Sequence, residues 1–221
     1  HTWRITTKEL IASHLDPELC RRIRASILIA GPVLARAGGL KLPPPGGDVI
    51  GRRRLDTHIL ALQSLGADIS YNNRLFDIMA SELHGADILL DEASVTATEN
   101  AVMAAVLAKG ETYIHNAASE PHVQELCNFL NSLGAKIEGV GSNSLHITGV
   151  SSLHGGDFTI GPDLLEVVSY IGAAVVTKGS VLIHNAGVKH LGMVNQVFRR
   201  LGVHWDVQGT DIYVPAEQNL V

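Results

Sequence analysis

Residues 109–118 read KGETYIHNAA, and residues 178–187 read KGSVLIHNAG. Lysine, glycine, histidine and asparagine return in the same order at a spacing of 69, which marks an internal repeat. A second marker keeps nearly the same beat: SLGAD (64–68), SLGAK (132–136) and RLGVH (200–204) place Gly66, Gly134 and Gly202 68 positions apart. That period is too long for a solenoid of single hairpins, so each repeat must hold several elements.

Working outward from these markers, the same grammar is legible in each unit. An apolar helix comes first: SILIAGPVLARAG (26–38), TATENAVMAAVLAKG (96–110) and DLLEVVSYIGAAVVTKG (163–179). Thr96/Glu99 and Asp163/Glu166 stand in capping-box spacing, and Gly110 and Gly179 read as C-terminal stops. A strand follows in the second and third units, TYIHNA and VLIHNA. Next comes an amphipathic helix, DTHILALQSLG, PHVQELCNFLNSLG or HLGMVNQVFRRLG, whose terminal glycine leads into a pair of short strands ending in LFDIMA, SLHITG and DIYVPA. WRIT (3–6) reads as an orphan copy of that last strand.

The first helix of each unit is apolar around nearly its whole circumference, and such a helix must be covered on every side. Its partner carries one polar stripe, and the strands alternate, as in KIEGVGSNSLHITG, so the sheets are expected outside with one wet face. The expected fold class is therefore α/β: repeated βαβαββ units, apolar helices inside and mixed sheets outside.

Composition narrows the functional classes. An apolar fraction of 46% supports a full core, and a formal net charge of −5 argues against a nucleic-acid or membrane surface. The arginine cluster at 52–54 also lacks the aromatic interleaving of a nucleic-acid site. The most apolar run, ILIAGPVLARAGGL, is interrupted by Pro32 and Arg36, short of the roughly 18 uninterrupted residues a membrane span needs. Cys20 and Cys127 have no paired spacing, so free thiols in a reducing, cytoplasmic compartment are expected. The opening HTWRIT has neither an initiator Met nor a signal-peptide pattern, which suggests a processed or excised segment.

Two stretches carry chemistry. PPPGGDVIGRRRLD (43–56) is either a solvated surface loop freed by its glycines, or an anion grip in which guanidinium forks lie beside the N-terminus of the following helix. Asp48 within it is either a salt-bridge partner of the arginines or an acid on a hinged loop, carried onto an anionic substrate. DEASVTATEN (91–100) places Ser94 and Thr96 at a helix start, where they either cap the helix or offer hydroxyls to a ligand edge. His58, His115, His146 and His184 sit singly on their elements, with no HExxH or paired cysteines, so no metal site is expected.

RASILIAGPVLAR, PPPGGDVIGRRRLDTHILALQSLGA, ASVTATENAVMAAVLAKG and NAASEPHVQELCNFLNSLGAKI together resemble the enolpyruvyl transferases over almost the whole chain. The pattern PGG-x-x-IG-x-R-x-x-D-x-H is that of the branch acting on UDP-N-acetylglucosamine. The resemblance implies an inside-out barrel of βαβαββ units, three per lobe. Here it would be incomplete: residues 1–161 would supply two units of the first lobe, and 162–221 the first complete unit of the second.

The implied reaction moves the enolpyruvyl group of phosphoenolpyruvate to the 3′-hydroxyl of UDP-N-acetylglucosamine with release of phosphate, in peptidoglycan synthesis, with no cofactor. By resemblance, Asp48 matches the proton donor to the methylene carbon, where most members carry Cys. Arg24 and Arg53 match arginines that hold the anionic substrates. Arg53, Arg54, Leu55, Asp56 and Thr57 match the segment along the nucleotide, and Glu92, Ala93, Ser94, Val95 and Thr96 the segment beside uridine and diphosphate. Asp163 and Glu166 match a helix start with a structural capping role.

Arg54 stands in place of the usual Pro, Thr96 of Gly, and Glu92 of a basic residue. A Lys-Asn pair, a general base and a further arginine of the family have no counterpart, so this stretch alone is expected not to turn over. The competing expectations are a non-catalytic nucleotide-sugar-binding module and a purely structural repeat. The oligomeric state is left open.

Overall fold

The computed structural model describes residues 2–10, 15–47, 51 and 54–221. The chain divides into two compact units, His1–Phe158 and Thr159–Val221, each with its own core.

In the first unit, α1 (Pro17–Arg22) is capped by Asp16, whose carboxylate accepts from the amides of Glu18 and Leu19 at 2.8 and 3.2 Å. A 3₁₀ turn (Arg24–Ile29) leads into α2 (Ala30–Ala37) and β1 (Gly39–Leu42). After the arginine loop come α3 (Asp56–Ser64), β2 (Asp68–Asn72), β3 (Leu75–Met79), β4 (Asp87–Leu89) and α4 (Val95–Ala105). The unit ends with β5 (Glu111–His115), α5 (Pro121–Ser132), β6 (Lys136–Glu138) and β7 (Ser144–Thr148). The second unit holds α6 (Leu164–Val176), β8 (Val181–Ile183), a 3₁₀ turn (Val188–His190), α7 (Gly192–Arg200), β9 (Asp206–Gln208) and β10 (Asp211–Val214).

Three sheets result. β1-β3-β2 and β8-β10-β9 are antiparallel, whereas β4-β5-β7-β6 is mixed because β4 runs parallel to β5. β5 and β7 alternate buried and wetter positions, so this sheet has one face on the core and one toward solvent. Among the described residues the architecture is thus α/β, with mixed and antiparallel sheets and no closed barrel.

The repeat markers have a physical origin. Gly66, Gly134 and Gly202 take left-handed φ values of 101°, 100° and 81° just past the ends of α3, α5 and α7. The residue after each glycine donates back to a carbonyl five positions earlier: Ala67 to Leu62, Ala135 to Leu130 and Val203 to Phe198, all at 3.0 Å. These are Schellman closures, and glycine recurs because a Cβ is disfavoured at that φ. Asn116 and Asn185 likewise occupy the left-handed region, at φ 57° and 51°, directly after or near the end of their strands.

The core of the first unit is built around α4. Ala97, Ala101, Val102, Ala104 and Ala105 are buried, and α2 and α3 pack against this helix. Its small residues allow close approach: a Cβ on Gly31 of α2 would fall 2.5 Å from the Asn100 carbonyl oxygen.

The structure departs from the sequence reading at several points. WRIT is not a strand. The first apolar helix is split, 3₁₀ to Ile29 and α from Ala30; Pro32 has no amide to extend an earlier ladder but is tolerated in a first turn. The cap of α4 is Ser94, whose hydroxyl oxygen accepts from the Ala97 amide at 3.4 Å, so Thr96 lies inside the helix and Thr96/Glu99 is not a capping box. Asp163 does cap α6, accepting from Leu165 and Glu166 at 2.9 and 3.2 Å. α4 ends at Ala105, ahead of Gly110, and after α6 the left-handed position falls on Lys178 rather than Gly179. α6 is not covered all round: Val167, Ile171, Ala174 and Val175 are buried, but Leu165 and Val176 are 77% and 78% exposed. β1, unforeseen in the first unit, pairs with β3.

Candidate functional site

Two helices and a 3₁₀ turn of the first unit begin at one place. Arg24 opens the 3₁₀ turn, and its Nη2 donates to the Arg54 carbonyl at 2.9 Å, joining that turn to the entry of α3. In the first turn of α3, Thr57 donates from Oγ1 to Asp91 Oδ1 at 2.6 Å, tying α3 to the segment that leads into α4. His58 Nε2 lies 3.2 Å from Thr96 Oγ1, and His58 Nδ1 lies 2.9 Å from Asn100 Nδ2, both on α4. Asn100 closes the ring: its Nδ2 donates to the Ile27 carbonyl and its Oδ1 accepts from the Gly31 amide, each at 2.9 Å.

This ring is polar yet enclosed. Thr57, His58 and Asn100 are buried, and Arg24 and Thr96 are half-buried. Burial, and secondarily the Arg24 charge, lower the His58 pKa to about 4, so the imidazole is neutral at ordinary pH. The start of α4 is further tied down by Thr98, whose hydroxyl donates to the Ser94 carbonyl at 2.8 Å and accepts from the Ala118 amide at 3.0 Å.

The base of the arginine loop is anchored next to Arg24. The Gly46 and Gly47 amides donate to the Cys20 and Arg21 carbonyls at 2.9 and 3.2 Å, at the end of α1. A Cβ on Gly46 would stand 1.6 Å from the Arg21 oxygen, so only glycine fits there, and Gly47 takes a left-handed φ of 93° that side chains rarely adopt. Asp48 and Arg53 lie outside the described residues.

The remaining candidates fall on two edges of the same region. Arg54 is exposed, with its Nε 3.3 Å from Asp56 Oδ2; Leu55 is half-buried and Thr57 buried. On the other edge Glu92 and Ala93 are exposed, and Ser94, Val95 and Thr96 half-buried. The structure therefore gathers Arg24, 54–57 and 91–96 around one ring of hydrogen bonds. Asp91, His58 and Asn100 were not singled out as binding residues. A buried asparagine in an otherwise apolar helix was the available signal, since such a group needs a partner.

His115, His146 and His184 serve the sheets. His115 and His184, equivalent in the repeat, pair with Asp87 at 2.9 Å and Asp211 at 2.6 Å, while His146 lies between Glu111 and Glu138 and stacks on Tyr113. Among the described residues, no group of three or more His, Cys, Asp or Glu side chains is arranged to hold a metal. Cys20 and Cys127 are buried free thiols, and burial pushes Cys127 up to about 11. No described helix is long and apolar enough to cross a membrane. A hollow of about 720 Å³, lined by Arg36, Gly38, Glu82 and Lys109 among others, lies at the C-terminal ends of α2 and α4, away from the ring at the start of α4.

The model of the EPSP synthase family (3-phosphoshikimate 1-carboxyvinyltransferase) matches residues 2–220, and the chain belongs to that family. Among curated relatives, it is 57% identical over 220 residues to the UDP-N-acetylglucosamine 1-carboxyvinyltransferase of Bradyrhizobium diazoefficiens, covering 100% of this chain and 51% of that protein. It is 52% identical over 220 residues to the protein of the same name from Treponema denticola, with the same coverage. The chain spans about half the length of these relatives. Among solved structures, the enolpyruvyl transferase NikO from Streptomyces tendae superposes with a TM-score of 0.77 at 24% identity, covering 92% of this chain and 49% of that one. EPSP synthase from Acinetobacter baumannii superposes with a TM-score of 0.63 at 19% identity, covering 89% and 47%.

Proposed function

We propose that these residues form part of a UDP-N-acetylglucosamine 1-carboxyvinyltransferase, a cytoplasmic enzyme of peptidoglycan synthesis. Residues 1–161 would be two units of its first lobe and 162–221 the first complete unit of its second. The observation that carries the reading is the Arg24 contact with the Arg54 carbonyl, which puts a guanidinium beside the N-terminal turn of α3 and the anchored base of the Asp48 loop. Fixed cation and helix end together favour an anionic ligand. The names of the relatives supply the substrate pair.

In this proposal Arg24 and Arg53 hold the phosphate and carboxylate of phosphoenolpyruvate. Arg54, Leu55, Asp56 and Thr57 run along the nucleotide, and Glu92, Ala93, Ser94, Val95 and Thr96 border uridine and diphosphate. The Asp48 carboxyl gives its proton to the methylene carbon while the sugar 3′-hydroxyl adds to the adjacent carbon, with its own proton passing to a general base. The tetrahedral adduct then expels phosphate and regenerates the double bond on the sugar. The base and further phosphate ligands would come from the part of the relatives' length not represented here. Because each such group contributes on the order of 10²-fold, the 221 residues alone would not turn over at a measurable rate.

The test is phosphate release from phosphoenolpyruvate by the full-length protein, with UDP-N-acetylglucosamine or shikimate 3-phosphate as acceptor. Release only with the nucleotide sugar is expected. Release only with shikimate 3-phosphate, or with neither, overturns the proposal.

A further inference from the structure

Resting on that reading, we propose that His58 is a positioning residue that turns the Thr96 hydroxyl into a donor for the diphosphate of the nucleotide. The Gly31 amide can only donate, so the Asn100 atom it meets at 2.9 Å is the oxygen. The Asn100 nitrogen then faces the Ile27 carbonyl and His58 Nδ1, each at 2.9 Å, and spends its two hydrogens on them. His58 Nδ1 is therefore the acceptor nitrogen. With the ring neutral, its one proton sits on Nε2.

That proton points at Thr96 Oγ1, 3.2 Å away, and occupies the hydroxyl as an acceptor. The hydroxyl's own hydrogen must then be donated elsewhere. Among the described residues Thr96 Oγ1 has no second partner, and the residue is half-buried on the first turn of α4, at the edge where 92–96 would meet the diphosphate. The same edge carries carboxylates at Asp91 and Glu92 and neither Lys nor Arg between 91 and 96. Helix amides and the hydroxyls of Ser94 and Thr96 are the donors this segment offers, so a fixed hydroxyl matters more than it would beside a lysine.

The sequence of donors is thus Gly31 to Asn100, Asn100 to His58, His58 to Thr96, and Thr96 to a phosphate oxygen. His58 acts through Thr96 and does not touch the ligand itself. A Val at 96 keeps the shape and loses the donor; a Ser keeps the donor.

The experiment measures binding of UDP and of uridine to the full-length protein by calorimetry, for wild type, Thr96→Val, Thr96→Ser and His58→Gln. Expected is a loss of about 10-fold in UDP affinity in Thr96→Val, an effect equivalent to roughly one charge-assisted hydrogen bond. Uridine affinity should be unchanged, Thr96→Ser should recover the UDP loss to within about 3-fold, and His58→Gln, whose amide can still donate to Thr96, should fall between Val and wild type. UDP binding by Thr96→Val within 2-fold of wild type overturns this inference alone, as does an equal loss for UDP and uridine, which marks a structural role. A wild-type protein that binds neither UDP nor UDP-N-acetylglucosamine overturns the proposed function and this inference with it.

Discussion

His58 illustrates how one residue links fold, charge and stability. Its imidazole is 3% exposed and its pKa lies near 4, depressed by burial and by Arg24. An unfolded chain binds the proton near pH 6.5, so below that value protonation favours the unfolded state. His58 therefore opposes folding progressively as pH falls from about 6.5 to about 4, by up to about 3 kcal/mol, and contributes no such penalty above pH 7. Denaturant titrations from pH 7.5 to 4.5 should show a steeper loss for wild type than for His58→Gln. Parallel slopes would contradict a buried neutral histidine. A second residue-scale prediction concerns Asp48, where chemistry rather than geometry decides: a carboxylate is a far poorer nucleophile toward an epoxide than a thiolate. Under the proposed function, fosfomycin, an epoxide, should leave phosphate release by the full-length protein unchanged, and stoichiometric covalent addition at Asp48 by mass spectrometry would count against this.

The elements differ in how openly the sequence declares them. The glycines after α3, α5 and α7 were visible because a left-handed residue leaves a mark that few side chains can replace, and three of them set the period. β1 was hidden: GLKL is four residues long and runs into three prolines, too short for its Leu-Lys-Leu alternation to stand out, and its pairing with β3 joins residues 34 to 40 positions apart. The start of α4 was misplaced by two residues, which changed the meaning of Thr96 from cap to ring member. The arginine loop, Ser94 and Thr96 stand out by residue type and position, whereas Arg24 and the rest of 54–57 and 92–96 enter only through the family resemblance; the Thr57 to Asp91 and His58 to Asn100 bonds join positions 34 and 42 apart and leave no local pattern. The corrected cap is testable. Ser94→Ala should lower stability by about 1 kcal/mol, as loss of an N-cap does, whereas Glu99→Gln should change it by less than about 0.5 kcal/mol because no capping box closes on residue 99. Equal losses in the two variants would restore the earlier placement.

At the scale of the molecule, the two units are unequally built. Among the described residues, thirty buried apolar side chains form the core of the first unit and nine that of the second. A domain of about 60 residues buries a smaller share of its surface than a larger one and is correspondingly marginal. The second unit is handicapped further, because α6 leaves Leu165 and Val176 in water while only one side of the helix contacts its own sheet. Local stability follows buried apolar contact, so the units should not unfold as one. For the 221-residue chain, hydrogen exchange should show amides of α4, β5 and β7 protected at least about 100-fold more than those of α6, β8 and β10, a gap of about 3 kcal/mol between the opening reactions. Leu165→Glu, placed on the wet side of α6, should leave both sets unchanged, whereas Ile171→Ala, which hollows the small core, should abolish protection in the second unit and spare the first. Uniform protection across all these segments, or loss in both units from Ile171→Ala, would mean that the chain unfolds as a single cooperative body.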